Sequence, residues 1–370
     1  MAKAKSIAVI PPPVMVAVFN QKGGVAKTTT ACNLAVGLGA FGYRVLLVDL
    51  DTQGNATSSF GVSPLPATGA FEVITGRAKA LEAALDTAYD GVWLLPATAS
   101  LRDNDHLLAH AGRRRGLLET RLADTGVDVV VVDCPPALAA ATSTALASAS
   151  AVLMPVRPDP YAHEGLVNTW YEIKRIREAI NVQLGVAGIL LTMTGSEPTG
   201  DDVARVIRAE FGEQVYAVDI PTDPKVAEAA QMALPVAVLD PDGLAGRAYV
   251  DATEEVLRRL ARQNRQGTQL PPPLGRDEAL NRLRGWRATA HGALLRRPDA
   301  SPGWAKRAPL DDDGDEDEAD DHGYSGPVTV EAAAVTPVTT GRRLVALLLA
   351  AFAAGMAAEA LSGVLRRLFG

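Results

Sequence analysis

The stretch that decides the fold covers residues 14–30 and reads VMVAVFNQKGGVAKTTT. It begins with the apolar run VMVAVF, which is typical of a buried parallel strand, and residues 28–38 have a spacing compatible with a helix. Between these segments Gly23 and Gly24 lack a Cβ, so the backbone can turn sharply and direct its N–H groups at phosphate oxygens. The pattern therefore predicts a phosphate-binding loop that joins a strand to a helix.

Two lysines in this loop distinguish it from the common phosphate-binding pattern. Residues 22–29 read KGGVAKTT, and Gln21 and Ala26 stand where the pattern G-x-x-x-x-G-K-[ST] has its glycines. Lys27 is placed to reach the β- and γ-phosphates of a nucleotide, and the Thr28 hydroxyl is placed to bind Mg²⁺. The predicted cofactor-binding residues of the loop are Gly23, Gly24, Val25, Ala26, Lys27, Thr28 and Thr29.

Two further apolar runs end in carboxylates. The run VLLVDLD contains Asp49 and Asp51, and the run VVVVD ends at Asp133. Ligand sites in parallel α/β sheets lie beyond the carboxyl ends of the strands, so these acids are expected at the same crevice as the loop. Because Mg²⁺ prefers oxygen ligands and keeps several waters, Thr28 with one or two of the acids is a sufficient site.

In these motifs the chain resembles the ParA/MinD family of deviant Walker A ATPases, and most closely its chromosome-partitioning ParA/Soj branch. The resemblance covers residues 14–262. It rests on blocks in the order and spacing of that branch, at residues 20–30, 45–57, 129–138, 155–166, 188–194, 220–239 and 240–248. It implies an α/β fold of the P-loop NTPase type, with a doubly wound, mainly parallel sheet flanked by helices.

The resemblance also implies roles for the charged residues of the site. In this family two protomers form a homodimer around ATP and Mg²⁺, and Lys22 corresponds to the lysine that reaches the partner's nucleotide. Asp51 resembles the acid that positions the attacking water, and with Lys22 and Lys27 it forms the predicted catalytic set. Asp49 and Asp133 resemble the acids that hold Mg²⁺ and its water shell, so with Thr28 they are the predicted metal residues.

Three further expectations concern nucleotide base, partner and DNA. Pro221 and Asp223 fall where the family contacts adenine, with Asp223 in place of the usual asparagine. The resemblance implies an activating partner, ParB-like or another protein. Arginines that help relatives grip DNA are missing from residues 195–198 and 222–225, where only Lys225 is basic. Other bases that could bind non-specific DNA instead are Lys174, Arg175, Arg177, Arg205 and Arg208.

Composition limits the class of protein. A chain of 370 residues with 48% hydrophobic content is long enough for one large α/β domain with appendages. Cys32 and Cys134 are too few for a disulfide framework, fit a reducing cytoplasm and argue against an iron–sulfur relative. The histidines show no metal-ligand spacing, so no metal beyond Mg²⁺ is expected.

The chain divides into four predicted parts. Residues 1–13 are an N-terminal extension without an export signal, and residues 14–262 are the ATPase domain. Residues 263–341 are predicted to be a flexible linker, first rich in Pro and Arg and then acidic, with a short helix over residues 276–295. Residues 342–370 are predicted to be an apolar C-terminal helix.

Residues 344–365 of this C-terminal part carry one charge, Glu359, and as a helix would span about 33 Å, roughly the hydrocarbon core of a bilayer. Three alternatives stay open for this segment: an anchor in the inner membrane, a peripheral or protein-docking surface that could seat a partner helix, and an incidental tail. The ATPase itself is expected in the cytoplasm.

Three functions fit these observations. The leading prediction is an ATP-driven dimer switch that segregates or positions a cargo such as a chromosome or plasmid. The alternative is a membrane-tethered, MinD-like spatial organiser that recruits partners without binding DNA. A scaffold that does not hydrolyse ATP is the third.

Overall fold

The computed structural model describes residues 12–136, 139–196, 198–263 and 270–293. The acidic block and the apolar segment 344–365 lie outside these residues. Among the described helices, none is both long and apolar enough to cross a membrane.

The centre of the structure is an eight-stranded sheet with the order β3-β4-β2-β5-β1-β6-β7-β8. Its strands are β1 Val14–Val18, β2 Val45–Asp49, β3 Leu85–Asp86, β4 Val92–Leu95, β5 Val129–Asp133, β6 Ala151–Val156, β7 Gly185–Thr194 and β8 Ile220–Pro221. Neighbouring strands pair in parallel, except that β3 pairs with β4 in the antiparallel direction. The predicted fold class, a doubly wound and mainly parallel sheet, is confirmed.

Helices cover both faces of this sheet. They are α1 Lys27–Ala40, α2 Asn55–Ser59, α3 Ala70–Thr75, α4 Ala80–Ala83, α5 Ala99–Asp103, α6 Leu117–Arg121, α7 Ala140–Ser148, α8 Ala162–Ala179, α9 Pro198–Phe211, α10 Pro224–Gln231, α11 Val236–Leu239, α12 Leu244–Gln263 and α13 Arg276–Ala293. Short 3₁₀ turns lie at Asp105–Ala109, Ala111–Arg113, Ala123–Thr125 and Gly212–Gln214.

The central strands are apolar throughout because both of their faces are buried. In β1, Val16 and Val18 belong to the core on the α1 and α12 side, whereas Met15 and Ala17 belong to the core on the other side. Successive residues of a strand point to opposite faces, so a strand covered on both sides needs apolar residues at every position. The central strands are therefore packed on both faces by the two cores.

Two glycines allow close packing around helix α1. A Cβ on Gly37 would collide with Thr253 of α12, and a Cβ on Gly39 would collide with Val92 of β4. Each glycine costs a helix interior about 1 kcal/mol relative to alanine. Because Gly37 and Gly39 have no side chain, Thr253 and Val92 can approach the backbone of α1 closely.

Helix α13 differs from the sequence-based expectation. We predicted a short helix here, but within a flexible linker that begins at residue 263. In the structure α13 packs on the folded domain and buries Ala279, Leu283, Trp286 and Ala290 in the same core as α1 and α12. These four residues form an apolar stripe at helical spacing. The Arg- and Pro-rich composition around them does not indicate that α1 provides a surface on which the stripe can pack. The folded domain therefore extends to residue 293.

Hydrogen bonds also hold α13 and the segment before it on the domain. The Tyr43 hydroxyl donates to the carbonyl of Pro271 at 2.8 Å, and the Leu274 N–H donates to the carbonyl of Phe41 at 2.9 Å. Further along, the Arg284 guanidinium donates to both carboxylate oxygens of Asp242, at 2.9 and 2.7 Å. The segment before α13 and the middle of the helix are thus both tied to the domain.

Candidate functional site

The predicted phosphate loop lies between β1 and α1. Gly24 and Ala26 both adopt the left-handed conformation, with φ values of 70° and 61°. Ala26 occupies the position of the second glycine of the common pattern, and its φ explains why that pattern prefers glycine. A Cβ added to Gly23 or Gly24 would meet no described atom within 4 Å, so the space in front of the loop can accept phosphate oxygens.

Lys27 is the first residue of α1, and its side chain turns back along the loop. Its ammonium donates to the Lys22 carbonyl at 2.7 Å, and the residue is 7% exposed. Burial lowers the pKa of Lys27, and the nearby charges of Asp133 and Asp51 oppose this change. The lysine predicted to bind phosphate therefore lies among the acids at the strand ends.

Asp49 and Asp133 end two adjacent strands. They are register partners in the β2–β5 pair, and both are fully buried. Asp49 accepts hydrogen bonds from the Thr57 N–H at 2.8 Å, the Thr57 hydroxyl at 2.7 Å and the Asp51 N–H at 3.1 Å. Neither carboxylate oxygen of Asp133 has a hydrogen-bond partner among the described residues. Hydrogen bonds thus satisfy the carboxylate of Asp49 but not that of the neighbouring Asp133.

The electrostatics of this pair favour binding of a cation. Burial raises the pKa of Asp49 to about 6, and its hydrogen bonds with Thr57 oppose the shift. Burial, and then the charge of Asp49, raises the pKa of Asp133 well above its usual range, although the Thr28 hydroxyl is near enough to oppose this. A buried carboxylate without a donor is costly unless it meets a cation. With the Thr28 hydroxyl it forms the oxygen donor set that Mg²⁺ prefers, so the residues present fit that ion.

Asp51 lies in the turn after β2, beside this pair. It is 8% exposed, and its carboxylate accepts the Gln53 N–H at 2.9 Å. The bond from its own N–H to Asp49 fixes the turn on the end of the strand. Thr57, which sequence reasoning did not select, holds Asp49 and also accepts the Ala97 N–H at 2.9 Å, so it joins the acid turn to the segment after β4.

Lys22 forms an ion pair with Asp159, in the loop between β6 and α8. Its ammonium contacts both carboxylate oxygens of Asp159. Sequence reasoning missed Asp159, although the signal was present, because this acid also follows the carboxyl end of a parallel strand, as Asp49 and Asp133 do.

Pro221 and Asp223 lie at the far edge of the sheet from β2. Pro221 ends β8, and Asp223 is the N-cap of α10. One carboxylate oxygen of Asp223 accepts the Lys225 N–H at 2.9 Å, and the other accepts the Ala245 N–H at 3.0 Å. The Asp223 carboxylate thus accepts hydrogen bonds at the N-terminal ends of both α10 and α12. For this reason an acid can stand at position 223 in place of the usual asparagine.

The bases suggested for DNA binding are mostly paired with acids. Arg175 pairs with Glu172, Lys174 with Glu178, Arg205 with Asp202, Arg208 with Asp219 and Lys225 with Glu228. Most of these pairs lie within one helix, three or four residues apart. Pairing reduces the net positive charge that these positions present to a polyanion.

A large groove of about 1510 Å³ lies elsewhere, beside the N-terminal ends of β1, β6 and β7. Ligand sites in parallel sheets form at the other ends of the strands. This groove is therefore separate from the site built by the loop and the acids.

A strand–loop–helix with left-handed residues in the loop, a lysine turned along it and buried acids on adjacent strand ends define a P-loop nucleotide hydrolase. Comparison of the chain with known proteins identifies the family within this class. A family model described as an AAA domain matches residues 14–186. The chromosome partitioning protein ParA of Caulobacter vibrioides is 37% identical over 251 residues, 66% of this chain and 94% of that relative. The chromosome-partitioning ATPase Soj of Thermus thermophilus is 40% identical over 246 residues, 66% of this chain and 96% of that relative.

The chain belongs to the ParA/Soj family of chromosome-partitioning ATPases. Solved structures agree with this assignment. Cobyrinic acid a,c-diamide synthase from Mycobacterium smegmatis, with bound ADP and magnesium, is 32% identical with a TM-score of 0.57, over 70% of this chain and 100% of that one. The cell division ATPase MinD of Pyrococcus furiosus is 25% identical with a TM-score of 0.55, over 66% of this chain and 98% of that one. The predicted family is confirmed.

Proposed function

We propose that this chain is an Mg²⁺-dependent ATPase whose ATP-bound form is a homodimer that segregates or positions a cargo, of the chromosome or plasmid type. The carrying observation is the buried, unpartnered carboxylate of Asp133 at the end of β5, adjacent to Asp49 and beside the phosphate loop. The family membership supports the same conclusion, because the named relatives are partitioning ATPases.

We assign the chemistry to the loop and the strand ends. Lys27, Thr28 and the backbone of residues 23–29 bind the phosphates, with Lys27 exchanging the Lys22 carbonyl for phosphate oxygens. Asp51 orients the attacking water from the turn after β2. Thr28 and Asp133 would hold Mg²⁺, which would supply positive charge against the negative charge that develops on the transferred phosphate.

Asp49 has a supporting position in this assignment. Three donors already hold its carboxylate, so we propose that it would help Thr28 and Asp133 to hold Mg²⁺ and its water shell while it fixes the turn that carries Asp51. Pro221 and the backbone around Asp223 are assigned to the adenine, because both carboxylate oxygens of Asp223 already accept backbone N–H groups.

Lys22 is assigned to the dimer. Its side chain is 27% exposed at the rim of the loop, so its ammonium can reach a second protomer bound face to face. A cation delivered across an interface stabilises transition-state charge as an arginine finger does. We propose that a partner protein, ParB-like or another activator, stimulates hydrolysis from this dimer.

Sedimentation of the full-length protein with ATP and Mg²⁺ tests this assignment. We expect a dimer for the wild type and for Lys174→Ala, which removes an exposed lysine on the outer face of α8. Lys22→Ala is expected to stay monomeric. A Lys22→Ala protein that dimerises like the wild type would falsify the role of Lys22.

A second candidate is a MinD-like organiser that recruits partners to a surface without binding DNA. The pairing of the suggested DNA-binding bases with acids on α8, α9 and α10 favours it. The test is binding of full-length protein to non-specific duplex with ATP across a salt series. Binding that needs ATP and weakens with salt supports partitioning on DNA, and its absence supports the organiser.

The cellular place follows from the same proposal. The ATPase domain acts in the cytoplasm, which its two free, buried cysteines suit. Attachment of the tail to the inner membrane is tested by fractionating cells that hold the full chain or a truncation after residue 341. Loss of membrane association in the truncation alone supports an anchor.

A further inference from the structure

The ion pair between Lys22 and Asp159 joins two well-fixed backbone segments. On one side, the Lys22 N–H donates to the Asn20 side-chain carbonyl at 3.0 Å, and the Asn20 amide donates to the carbonyl of Pro155 at 2.8 Å. The Thr169 hydroxyl of α8 donates to the same Asn20 oxygen at 3.1 Å. The backbone of the loop is therefore held against β6 and α8 independently of the Lys22 side chain.

On the other side, Asp159 is held at the start of α8. Its carboxylate accepts the Tyr161 N–H at 3.0 Å, and its carbonyl accepts the Ala162 N–H at 2.8 Å. Tyr161 is 72% exposed, so this loop lies at the protein surface. The Tyr161 N–H thus holds the carboxylate of Asp159 through a bond that does not involve Lys22.

We propose that Asp159 is a positioning residue that retains Lys22 within its own protomer and so sets the protein concentration at which the ATP-dependent dimer forms. The inference rests on the proposed role of Lys22 in the dimer. In this proposal the ammonium leaves the two carboxylate oxygens of Asp159 that it contacts here when it turns to a partner's phosphates. Each protomer therefore exchanges one anionic contact for another when the dimer forms.

The structure indicates the size of this effect. The two side chains are 27% and 26% exposed, so water screens the pair in part, and Asp159 regains water when Lys22 leaves. Breaking such a pair costs at most about fivefold in equilibrium constant. Because two protomers each release one lysine, loss of the carboxylate is expected to lower the dissociation constant of the dimer by at most about 25-fold.

Sedimentation of full-length protein over a concentration series with ATP and Mg²⁺ tests this inference. We expect Asp159→Asn to dimerise at a lower concentration than the wild type, and Asp159→Glu, which keeps the charge, to lie between the two. Glu172→Gln removes an acid of α8 that pairs with Arg175 on the outer surface, so as a matched control it is expected to behave like the wild type.

A double variant identifies the route of the effect. In a Lys22→Ala background, Asp159→Asn is expected to leave the protein monomeric, because the lysine that Asp159 retains is absent; a double variant that dimerises would show that Asp159 opposes the dimer by another route and would overturn the inference. An unchanged or weaker dimer in Asp159→Asn, with Lys22→Ala monomeric, would overturn this inference and leave the proposed function standing. A wild type that stays monomeric with ATP would overturn both.

Discussion

Replacing Trp286 with alanine tests whether α13 is part of the folded domain. The indole is 9% exposed and packs on the ring of Tyr89, with centroids 5.5 Å apart. Its edge also approaches the backbone of α1, because a Cβ on Gly39 would lie 3.5 Å from Trp286 Cη2. The substitution removes the side chain by which α13 contacts Tyr89 and approaches α1.

The structure sets the expected cost. A buried tryptophan removes about 200 Å² from water, worth about 5 kcal/mol at ~25 cal/mol per Å². Alanine keeps part of this burial, and a helix at the edge of a domain can move toward the space that is left. We therefore expect a loss near the lower end of the range for such substitutions, about 3 kcal/mol.

Urea unfolding of the full-length protein, followed by circular dichroism, measures this loss. With a slope of about 3 kcal/mol/M, the midpoint is expected to fall by about 1 M. The control is Arg287→Ala, at the adjacent exposed position of the same helix, which is expected to shift the midpoint by less than about 0.2 M. Equal midpoints for the two variants would refute the packing of α13 on the domain.

Three further predictions concern the site. Lys27→Ala is expected to weaken ATP binding about 10- to 100-fold, since a hydrogen bond to a charged group is worth about 1.5–3 kcal/mol, whereas Lys174→Ala keeps wild-type affinity in a fluorescent-nucleotide titration. Without nucleotide or Mg²⁺, the melting temperature is expected to rise as the pH falls from about 7 through 6, because the raised pKa values of Asp49 and Asp133 make the folded chain take up protons before the unfolded one. Asp133→Asn is expected to flatten this profile, and a wild-type melting temperature that falls steadily over the same interval contradicts the assignment. Asp223→Ala is expected to cost about 1–2 kcal/mol of stability through loss of a helix cap. Asp223→Asn keeps one acceptor oxygen and is expected to cost less. Equal losses of the two variants in urea unfolding would show that the carboxylate does not stabilise the protein as a cap.

The phosphate loop and the acids could be predicted because each depends on a local pattern. A fully apolar strand predicts burial on both faces, and residues that follow parallel strands meet at one edge of the sheet. Asp49 and Asp133 could thus be placed together from the sequence, and the structure makes them register partners.

Contacts between distant residues could not be predicted in this way. Nothing near Lys22 in the sequence indicates that Asp159 will pair with it, and nothing near Asp49 indicates that Thr57 will satisfy its carboxylate. The stripe of α13 is sparse, and the surface that it covers is provided by α1, more than 200 residues earlier. For this reason a docked helix was predicted as part of a flexible linker.

The paired glycines of α1 also restrict how this family member can evolve. A side chain at position 39 can appear only if Val92 becomes smaller, and one at position 37 only if Thr253 does. We expect positions 39 and 92 to covary among sequences that keep this arrangement, and likewise positions 37 and 253. Covariation at these two pairs of positions, each far apart in the chain, would then report how tightly the helix after the phosphate loop is packed.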